Sequence, residues 1–195
     1  MSALIKNIKP MFEKTISPII DIFYKINITP NFLTILGLVI TGIGSFFIAI
    51  GSFFTAGILI LIGNLCDAVD GALARKYQKS SKFGAFLDSV VDRYSDFLPF
   101  AASVFYFHSK PYMLLLSVFA IAGSFLVSYS KARAEGLGIE CNVGILERPE
   151  RSTILIVSLL TGYLEIGIVL IAVGSHITAL QRIFYVYKVL QSNKD

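Results

Sequence analysis

The sequence predicts an all-α integral membrane protein with six transmembrane helices, preceded by an amphipathic segment at the membrane surface. Of its 195 residues, 55% are hydrophobic, and the mean hydropathy is +0.72, whereas soluble domains are about 45–50% apolar. Long apolar runs recur along the chain, and a helix needs about 20 such residues to cross a bilayer. Because no polar linker divides these runs, we expect one membrane domain over residues 1–195.

The first segment, residues 1–28, differs from the rest because its apolar residues alternate with charged ones. Within Ile5–Ile26, isoleucines and phenylalanines mix with Lys and Asp, and Pro10 and Pro18 interrupt the pattern. A proline inside a helix removes a hydrogen bond and clashes with the preceding turn. We therefore expect a broken amphipathic segment that lies on the cytoplasmic surface of the membrane.

Four apolar runs then predict four spanning helices. The first run follows Thr29-Pro30-Asn31, which is typical of a helix start because proline is favoured in the first turn. The predicted spans are Phe32–Gly51, Phe54–Lys76, Phe83–Phe107 and Tyr112–Glu135. A polar segment over residues 136–150 separates them from the last apolar stretch.

That last stretch, Ser152–Ala179, is too long for one ordinary span and short for two. Basic residues decide between these alternatives, since cytoplasmic loops carry an excess of Lys and Arg. A hairpin near Tyr163-Leu164-Glu165 keeps Arg182 on the same side as the basic N-terminal segment. We therefore predict two short spans, both termini in the cytoplasm, and Lys110 as the one basic residue on the outer side.

The formal net charge is +4 and the pI is near 9.0. The basic residues are scattered among apolar spans and form no stripe on a soluble fold, which excludes nucleic acid as a partner. Loops that face the anionic cytoplasmic leaflet explain the charge. The expected location is the plasma membrane, with the functional groups on its cytoplasmic side.

Four aspartates lie in the second and third predicted spans, where each carboxylate costs about 2.5–3.5 kcal/mol at mid-span on insertion scales. Asp67 and Asp70 are three residues apart on one helix, and Asp88 and Asp92 are four apart on the next. Each pair therefore shares one helix face. Two antiparallel neighbours with a short connection can point both pairs at one another.

Four converging carboxylates repel each other unless cations lie between them. Oxygen ligands are those preferred by Mg²⁺ and Mn²⁺, and two such ions would offset the charges and hold a diphosphate. We therefore expect two divalent ions. The alternative is an ion-pair network with Arg75, Lys82 and Arg93 that only holds the helices together, but it explains neither the spacing nor the glycines beside the aspartates.

Small residues accompany the aspartates on the same helix faces. Gly71, Ala74 and Gly84 leave space in which a base or ribose can approach the backbone. Arg75 can pair with a phosphate through two parallel hydrogen bonds. The combination indicates a site for a nucleotide diphosphate beside the metal ions.

The residues from Asp67 to Asp92 read D-x2-D-G-x2-A-R-x8-G-x3-D-x3-D. This pattern resembles, at every position, the signature of the CDP-alcohol phosphotransferase family. The resemblance implies a six-helix membrane fold, usually dimeric, with a polar cavity open to the cytosol. It also implies an enzyme that moves a phosphoryl-linked group from a CDP-activated donor to an alcohol in phospholipid synthesis.

The same resemblance implies roles for individual residues. The metal ligands would be Asp67, Asp70, Asp88 and Asp92. Asp92 would also be the general base that accepts the proton of the acceptor hydroxyl. The CDP contacts would be Asn31, Thr34, Gly71, Ala74, Arg75, Ser81 and Gly84. For Asn31, Thr34 and Ser81, helix capping or packing is an equal alternative.

The acceptor is indicated by a second, shorter resemblance. Ser130–Glu135, Glu147–Arg151 and Gln181-Arg182 resemble stretches of the phosphatidylinositol-phosphate synthase branch and its archaeal archaetidylinositol-phosphate relatives. The resemblance implies that the phosphate of myo-inositol 1-phosphate is held by Lys131, Arg151 and Arg182. Arg133 and Arg148 are weaker candidates that could instead pair with Glu135, Glu147 or Glu150.

Several alternatives stay open at this point. The donor lipid can be diacylglycerol or archaeol, with CMP as the product. The acceptor can be glycerol 3-phosphate, as in a phosphatidylglycerophosphate synthase, or a soluble CDP-inositol donor can react with inositol phosphate. A cation transporter is the rival from another class, but its path needs access from both sides, whereas the cations here lie on one side.

Overall fold

The computed structural model describes residues 16–192, and within that range the protein is all-helical, as predicted. The helices are α1 (residues 16–25), α2 (Pro30–Ala49), α3 (Phe53–Lys76), α4 (Lys82–Tyr106), α5 (Pro111–Glu135), α6 (Arg148–Thr161) and α7 (Leu164–Ser192). The bounds of α2 to α5 agree with the predicted spans to within a few residues.

Side-chain caps fix the starts of two helices that contribute to the site. Thr29 accepts a hydrogen bond from the Phe32 amide at 3.3 Å and Pro30 occupies the first turn of α2, as predicted from the sequence. Ser81 caps α4 by accepting from the Gly84 amide at 2.9 Å. Both caps satisfy amides that a helix leaves unpaired.

Helices α2 and α3 pack with their backbones in close contact. A Cβ atom on Gly37 would lie 2.9 Å from the Gly63 carbonyl oxygen, so neither position tolerates a side chain. Small residues are the usual means by which membrane helices approach closely. The contact brings Thr34 of α2 against Asp70 of α3, where the threonine hydroxyl donates to the carboxylate at 2.5 Å.

Four of the described helices are long and apolar enough to cross a membrane, namely α2, α3, α5 and α7. These helices agree with the prediction of a membrane protein, whereas the predicted count of six spans is not confirmed. Helix α4 is not among these four because it carries too many charged residues, among them Asp88, Asp92 and Arg93. Helix α6 is not among them because it has only 14 residues.

The predicted hairpin lies where α6 meets α7. The chain turns at Gly162, whose φ of +79° is the left-handed conformation that favours glycine at a helix end. Gly167 of α7 then packs against Ser158 of α6. Helix α7 continues to Ser192, beyond the predicted end at Ala179, because Leu180, Ile183 and Phe184 extend its apolar surface.

Helix α1 corrects one prediction about the N-terminal segment. Residues 16–25 are helical on both sides of Pro18, so the expected break at that proline does not occur. Residues 5–15 of the predicted segment, including Pro10, lie outside the described range. Ile16 and Ile20 are buried against Leu33, Val69, Ala72 and Leu73. These contacts attach α1 to the start of α2 and the end of α3.

Candidate active site

Three of the predicted aspartates converge between α3 and α4. Asp67, Asp70 and Asp88 each offer one carboxylate oxygen, and these oxygens lie within 4.8 Å of one another. Asp70 is buried, and the Thr34 hydroxyl fixes its carboxylate. Three oxygens at this separation fit a hard divalent cation such as Mg²⁺ or Mn²⁺. The i, i+3 spacing thus places its pair on the face that meets α4, as the sequence predicts.

Asp92, the fourth aspartate, lies one turn further along α4 and faces a cation instead. Arg148, the first residue of α6, places Nη1 2.9 Å from Asp92 Oδ1 and 2.9 Å from Asp67 Oδ2. The sequence interpretation offered Glu135, Glu147 or Glu150 as possible partners of Arg148, and the salt bridges of Arg148 found here go to Asp67, Asp92 and Asp96. Packing of α6 against α3 brings this arginine over the aspartates, and no local spacing encodes that contact.

Asp96 is a fifth aspartate that the sequence interpretation missed. Its Oδ2 accepts a hydrogen bond from Arg151 Nη2 at 2.7 Å, and its Oδ1 lies 3.5 Å from Arg148 Nε. The Arg151 side chain is 3% exposed and that of Asp96 is 10% exposed. Asp96 follows Asp92 by four residues, just as Asp92 follows Asp88, so the periodicity of α4 was the available signal.

A cavity of about 170 Å³ opens beside the aspartates, between the starts of α2 and α4 and the end of α3. We call it the donor cavity. It is lined by Pro30, Asn31, Thr34, Asp70, Gly71, Ala74, Arg75, Lys79, Ser80, Ser81, Gly84, Ala85 and Asp88. Every residue that the sequence predicted to contact CDP lies on this surface. Pro30, Lys79, Ser80 and Ala85 also line the cavity and were not predicted.

Two glycines of the donor cavity stand where polar groups approach closely. A Cβ on Gly84 would lie 3.0 Å from Ser81 Oγ and 3.2 Å from Asn31 Oδ1. A Cβ on Gly71 would lie 3.1 Å from the Arg75 guanidinium. Ser81 is both a helix cap and a lining residue, so its capping role does not exclude the predicted contact with CDP.

Helix α1 supports the loop that closes the donor cavity. Asp21 of α1 accepts hydrogen bonds from Lys76 and Tyr77, and the Tyr24 ring stacks on the Tyr77 ring with centroids 3.7 Å apart. The hydrogen bonds from Lys76 and then Tyr77 lower the pKa of Asp21. The hydrogen bond to Asp21 raises the pKa of Tyr77 to about 12. Lys79, which lines the cavity, lies 4.7 Å from the Tyr24 ring centroid.

A second cavity of about 330 Å³ lies between α4, α5, α6 and α7. We call it the acceptor cavity. It is lined by Ser89, Asp92, Arg93, Val127, Ser128, Lys131, Ala132, Glu135, Glu147, Arg148, Pro149, Arg151 and Arg182. Five of these residues are cationic and three are carboxylates, so the wall carries an excess of positive charge. Arg133 lies elsewhere, on an apolar cavity between α5 and α7.

The predicted acceptor residues differ in how they are held. Arg182 is 2% exposed; its Nε donates to the Val143 carbonyl at 2.9 Å, and its Nη2 pairs with Glu147 at 2.9 Å. Arg151 is fixed by Asp96. Lys131 has no carboxylate within salt-bridge distance in the described part of the chain. The cavity is therefore lined by two guanidinium groups held in place and one ammonium group without such a partner within residues 16–192.

The two cavities meet at the aspartates of α4. Asp88 lines the donor cavity and Asp92, one turn later, lines the acceptor cavity. A diphosphate on one side and an anionic acceptor on the other would therefore both contact this helix. This geometry suits in-line transfer of a phosphoryl-linked group between two bound molecules.

Comparison with known proteins confirms the family resemblance seen in the sequence. Residues 27–187 match the family model described as CDP-alcohol phosphatidyltransferase. The chain is 37% identical over 191 residues to the archaetidylinositol phosphate synthase of Pyrococcus horikoshii, covering 96% of this chain and 99% of that protein.

Crystal structures of the phosphatidylinositol phosphate synthase of Mycobacterium tuberculosis are also similar, at 30% identity. The structure with CDP-DAG bound gives a TM-score of 0.81 and covers 87% of this chain and 92% of that chain. The structure in complex with manganese and citrate gives a TM-score of 0.82 and covers 87% and 88%.

Proposed function

The chain belongs to the CDP-alcohol phosphatidyltransferase family, and we propose that this membrane enzyme transfers a phospholipid group from a CDP-lipid to myo-inositol 1-phosphate, releasing CMP. The observation that carries the proposal is the acceptor cavity, in which Lys131, Arg151 and Arg182 stand beside Asp92. The archaetidylinositol phosphate and phosphatidylinositol phosphate synthases among its relatives support the same acceptor.

The donor in this proposal is CDP-diacylglycerol or CDP-archaeol. Its cytidine and diphosphate occupy the donor cavity, where Gly71, Ala74 and Gly84 leave room and Arg75 offers a guanidinium. The related synthase crystallised with CDP-DAG supports a CDP-lipid. Its lipid chains extend from the cavity into the bilayer, so the donor never leaves the membrane.

Asp67, Asp70, Asp88 and Asp92 are the residues that would hold two Mg²⁺ or Mn²⁺ ions. The oxygens of the first three lie at suitable distances, and a related synthase was crystallised with manganese. When bound, the ions supply charge that neutralises the diphosphate and stabilises negative charge in the transition state.

In the proposed reaction, Asp92 acts as the general base because it is the aspartate that lines the acceptor cavity. Its carboxylate accepts the proton of the attacking inositol hydroxyl. The hydroxyl oxygen forms a bond to the phosphorus nearest the lipid, and the bond from that phosphorus to the oxygen of CMP breaks. Arg75 and the cations of the acceptor cavity counter the negative charge of the reacting phosphates.

The charge on the cavity wall favours a phosphorylated acceptor. The cations are Arg93, Lys131, Arg148, Arg151 and Arg182, and the carboxylates are Asp92, Glu135 and Glu147. The excess of two positive charges matches a phosphate dianion. Serine, choline or free inositol would bring no anion to Lys131, the lining cation that has no carboxylate within salt-bridge distance among the described residues, and an unpaired charge is costly at a half-buried site.

We also propose that α4 and α6 cross the membrane with the four longer helices, which gives six spans. Helix α4 packs against α2 and α5, and α6 packs against α3 and α7, so their polar residues face other helices and avoid lipid. Both termini and both cavities then face the cytoplasm at the plasma membrane. The proposed unit is one domain over residues 1–195 that works as a homodimer.

The test is CMP release by detergent-purified protein with Mg²⁺, CDP-diacylglycerol or CDP-archaeol, and each acceptor in turn. We expect release with inositol 1-phosphate, and its loss in Arg151→Ala. The matched control is Arg133→Ala, which removes an arginine outside the acceptor cavity and should retain activity. Release with glycerol 3-phosphate alone would overturn the acceptor, and release from CDP-inositol alone would overturn the lipid donor.

A further inference from the structure

Arg148 contacts carboxylates of two different helices at once. Its Nη1 lies 2.9 Å from Asp67 of α3 and 2.9 Å from Asp92 of α4, and its Nε lies 3.5 Å from Asp96. Only the contact with Asp67 has the alignment of a hydrogen bond. Asp92 Oδ1 and Arg148 Nε are buried without a hydrogen-bond partner, so the guanidinium is attracted by this group of carboxylates and satisfies it incompletely.

These contacts conflict with metal ligation by the same residues. A carboxylate oxygen that accepts from a guanidinium has less electron density to offer a metal ion. The guanidinium charge also repels a divalent cation a few ångströms away. Asp67 and Asp92 therefore cannot serve Arg148 and two ions equally well in one arrangement.

We infer that Arg148 is a resident counter-cation that competes with the divalent ions for Asp67 and Asp92, and that Asp96 receives it when the ions bind. The inference rests on the metal site of the proposed function. Asp96 is suited to this role because it is one turn from Asp92, lies 3.5 Å from Arg148 Nε and already anchors Arg151. A short shift of the guanidinium therefore moves it from Asp67 and Asp92 to Asp96.

The exchange links the metal ions to the acceptor. Arg148 also lines the acceptor cavity, so an arginine that has moved from Asp67 and Asp92 to Asp96 can donate its remaining N–H groups to the acceptor phosphate. Metal binding therefore favours phosphate binding, and by thermodynamic linkage phosphate binding favours metal binding to the same degree. The enzyme would bind its anionic acceptor tightly only after the ions are in place.

The test is Mn²⁺ binding to metal-depleted, full-length protein in detergent without substrates, measured from the electron paramagnetic resonance signal of free Mn²⁺. Arg148→Gln should bind Mn²⁺ about tenfold more tightly than wild type, a change within the usual range of coupling between sites. Asp96→Asn should bind it several-fold more weakly, since Arg148 loses its second partner. Lys110→Gln removes the same charge at the other end of the molecule and should bind as wild type does.

The two variants shift the affinity in opposite directions, and a merely structural role for Arg148 would not produce that result. Equal or weaker binding in Arg148→Gln overturns the inference. Should that protein fail to fold, equal or tighter binding in Asp96→Asn overturns it as well. If wild type binds Mn²⁺ and releases CMP while the variants do not shift, only this inference fails; if wild type does neither, the proposed function fails first.

Discussion

The donor and acceptor cavities meet on one helix but are built by opposite means. The donor cavity lies among helix starts, and its space comes from missing side chains at Gly71, Ala74 and Gly84. The acceptor cavity is lined with long charged side chains, and the carboxylates of Asp96 and Glu147 pair with its two buried arginines. In the proposed function, the space of the donor cavity admits a flat nucleotide, whereas the fixed cations of the acceptor cavity bind a phosphate.

The difference also concerns where along the chain each cavity originates. Donor residues come from 30–88, mostly within one continuous motif, whereas acceptor residues come from 89–182 on four separate helices. Damage to the donor cavity should therefore act on binding of the CDP-lipid alone. Substitutions in the acceptor cavity should weaken binding of the acceptor. Because the charges there are paired across helices, such substitutions should also weaken the packing of α4 to α7.

The largest effect should come from Asp92, where the two cavities join. Asp92→Asn keeps the shape but removes the proton acceptor, and general-base catalysis contributes about 10²–10⁴-fold. We expect kcat to fall by about 10³-fold while CDP-lipid still binds, as measured by a filtration assay with labelled donor. Turnover at the wild-type rate with intact donor binding would exclude Asp92 as the base.

Arg182→Gln should separate acceptor from donor most clearly. Loss of one partner of a buried charge pair costs about 2–5 kcal/mol, so KM for inositol phosphate should rise about 100-fold while KM for CDP-lipid stays constant. Glu147→Gln combined with Arg182→Gln is the control, because it removes both charges of this ion pair. The double variant should recover thermal stability without recovering acceptor affinity. An equal rise in both KM values would refute the claim that the two cavities bind the donor and the acceptor separately.

Gly84→Ala should show the reverse selectivity with a smaller effect. The added methyl would stand 3.0 Å from Ser81 Oγ and 3.2 Å from Asn31 Oδ1, so the α4 cap and the cavity wall must shift by a few tenths of an ångström. We expect KM for CDP-lipid to rise about tenfold, a loss of about 1.4 kcal/mol, with acceptor KM unchanged. Gly42→Ala is the matched control, since its methyl would meet only Leu98 at 3.9 Å.

The smallest effect should come from the support that α1 gives to the donor cavity. Tyr77→Phe removes the hydrogen bond to Asp21 but keeps the stacked ring, and KM for CDP-lipid should rise about two- to threefold, as expected for one exposed interaction. Because the pKa of Tyr77 is raised from 10.0 to about 12, the contact stabilises the protein below pH 10 and this contribution is lost as pH rises through 12.

A tyrosinate absorbance titration compared with Tyr77→Phe reports that pKa directly. In Asp21→Asn, Tyr77 should titrate nearer pH 10, because the carboxylate that accepts the hydrogen bond of its phenol has been removed. A pKa near 10 in the wild type would show that the hydrogen bond does not persist in solution.

The sequence predicted the donor cavity well because its parts are close along the chain. The spacings of Asp67, Asp70 and Asp88 translate directly into helix faces, and Thr29-Pro30 sets the start of α2. Asp96 was accessible from the same periodicity and was overlooked. The position of Arg148 was not accessible, because it depends on how α6 packs against α3 and α4, which no local pattern encodes.

The span count shows a related limit. Hydropathy identifies α2, α3, α5 and α7 by themselves, whereas α4 and α6 carry the polar residues that serve the site. A helix that supplies chemistry to a membrane enzyme loses the apolar signature by which it would be recognised. Whether such a helix can lie in the membrane depends on the helices that cover its polar residues. It can therefore be predicted only when the tertiary contacts are known.

The shortness of α6 sets the depth at which the proposed chemistry occurs. Its 14 residues measure about 21 Å, while the hydrocarbon core is about 30 Å thick. In the proposed six-span topology, α6 begins with Arg148 and Arg151 several ångströms below the cytoplasmic headgroups and reaches the outer surface at Gly162. The acceptor cavity would then be a water-filled depression within the bilayer. A polar acceptor would enter this depression to reach the lipid, and the lipid would not have to leave the membrane.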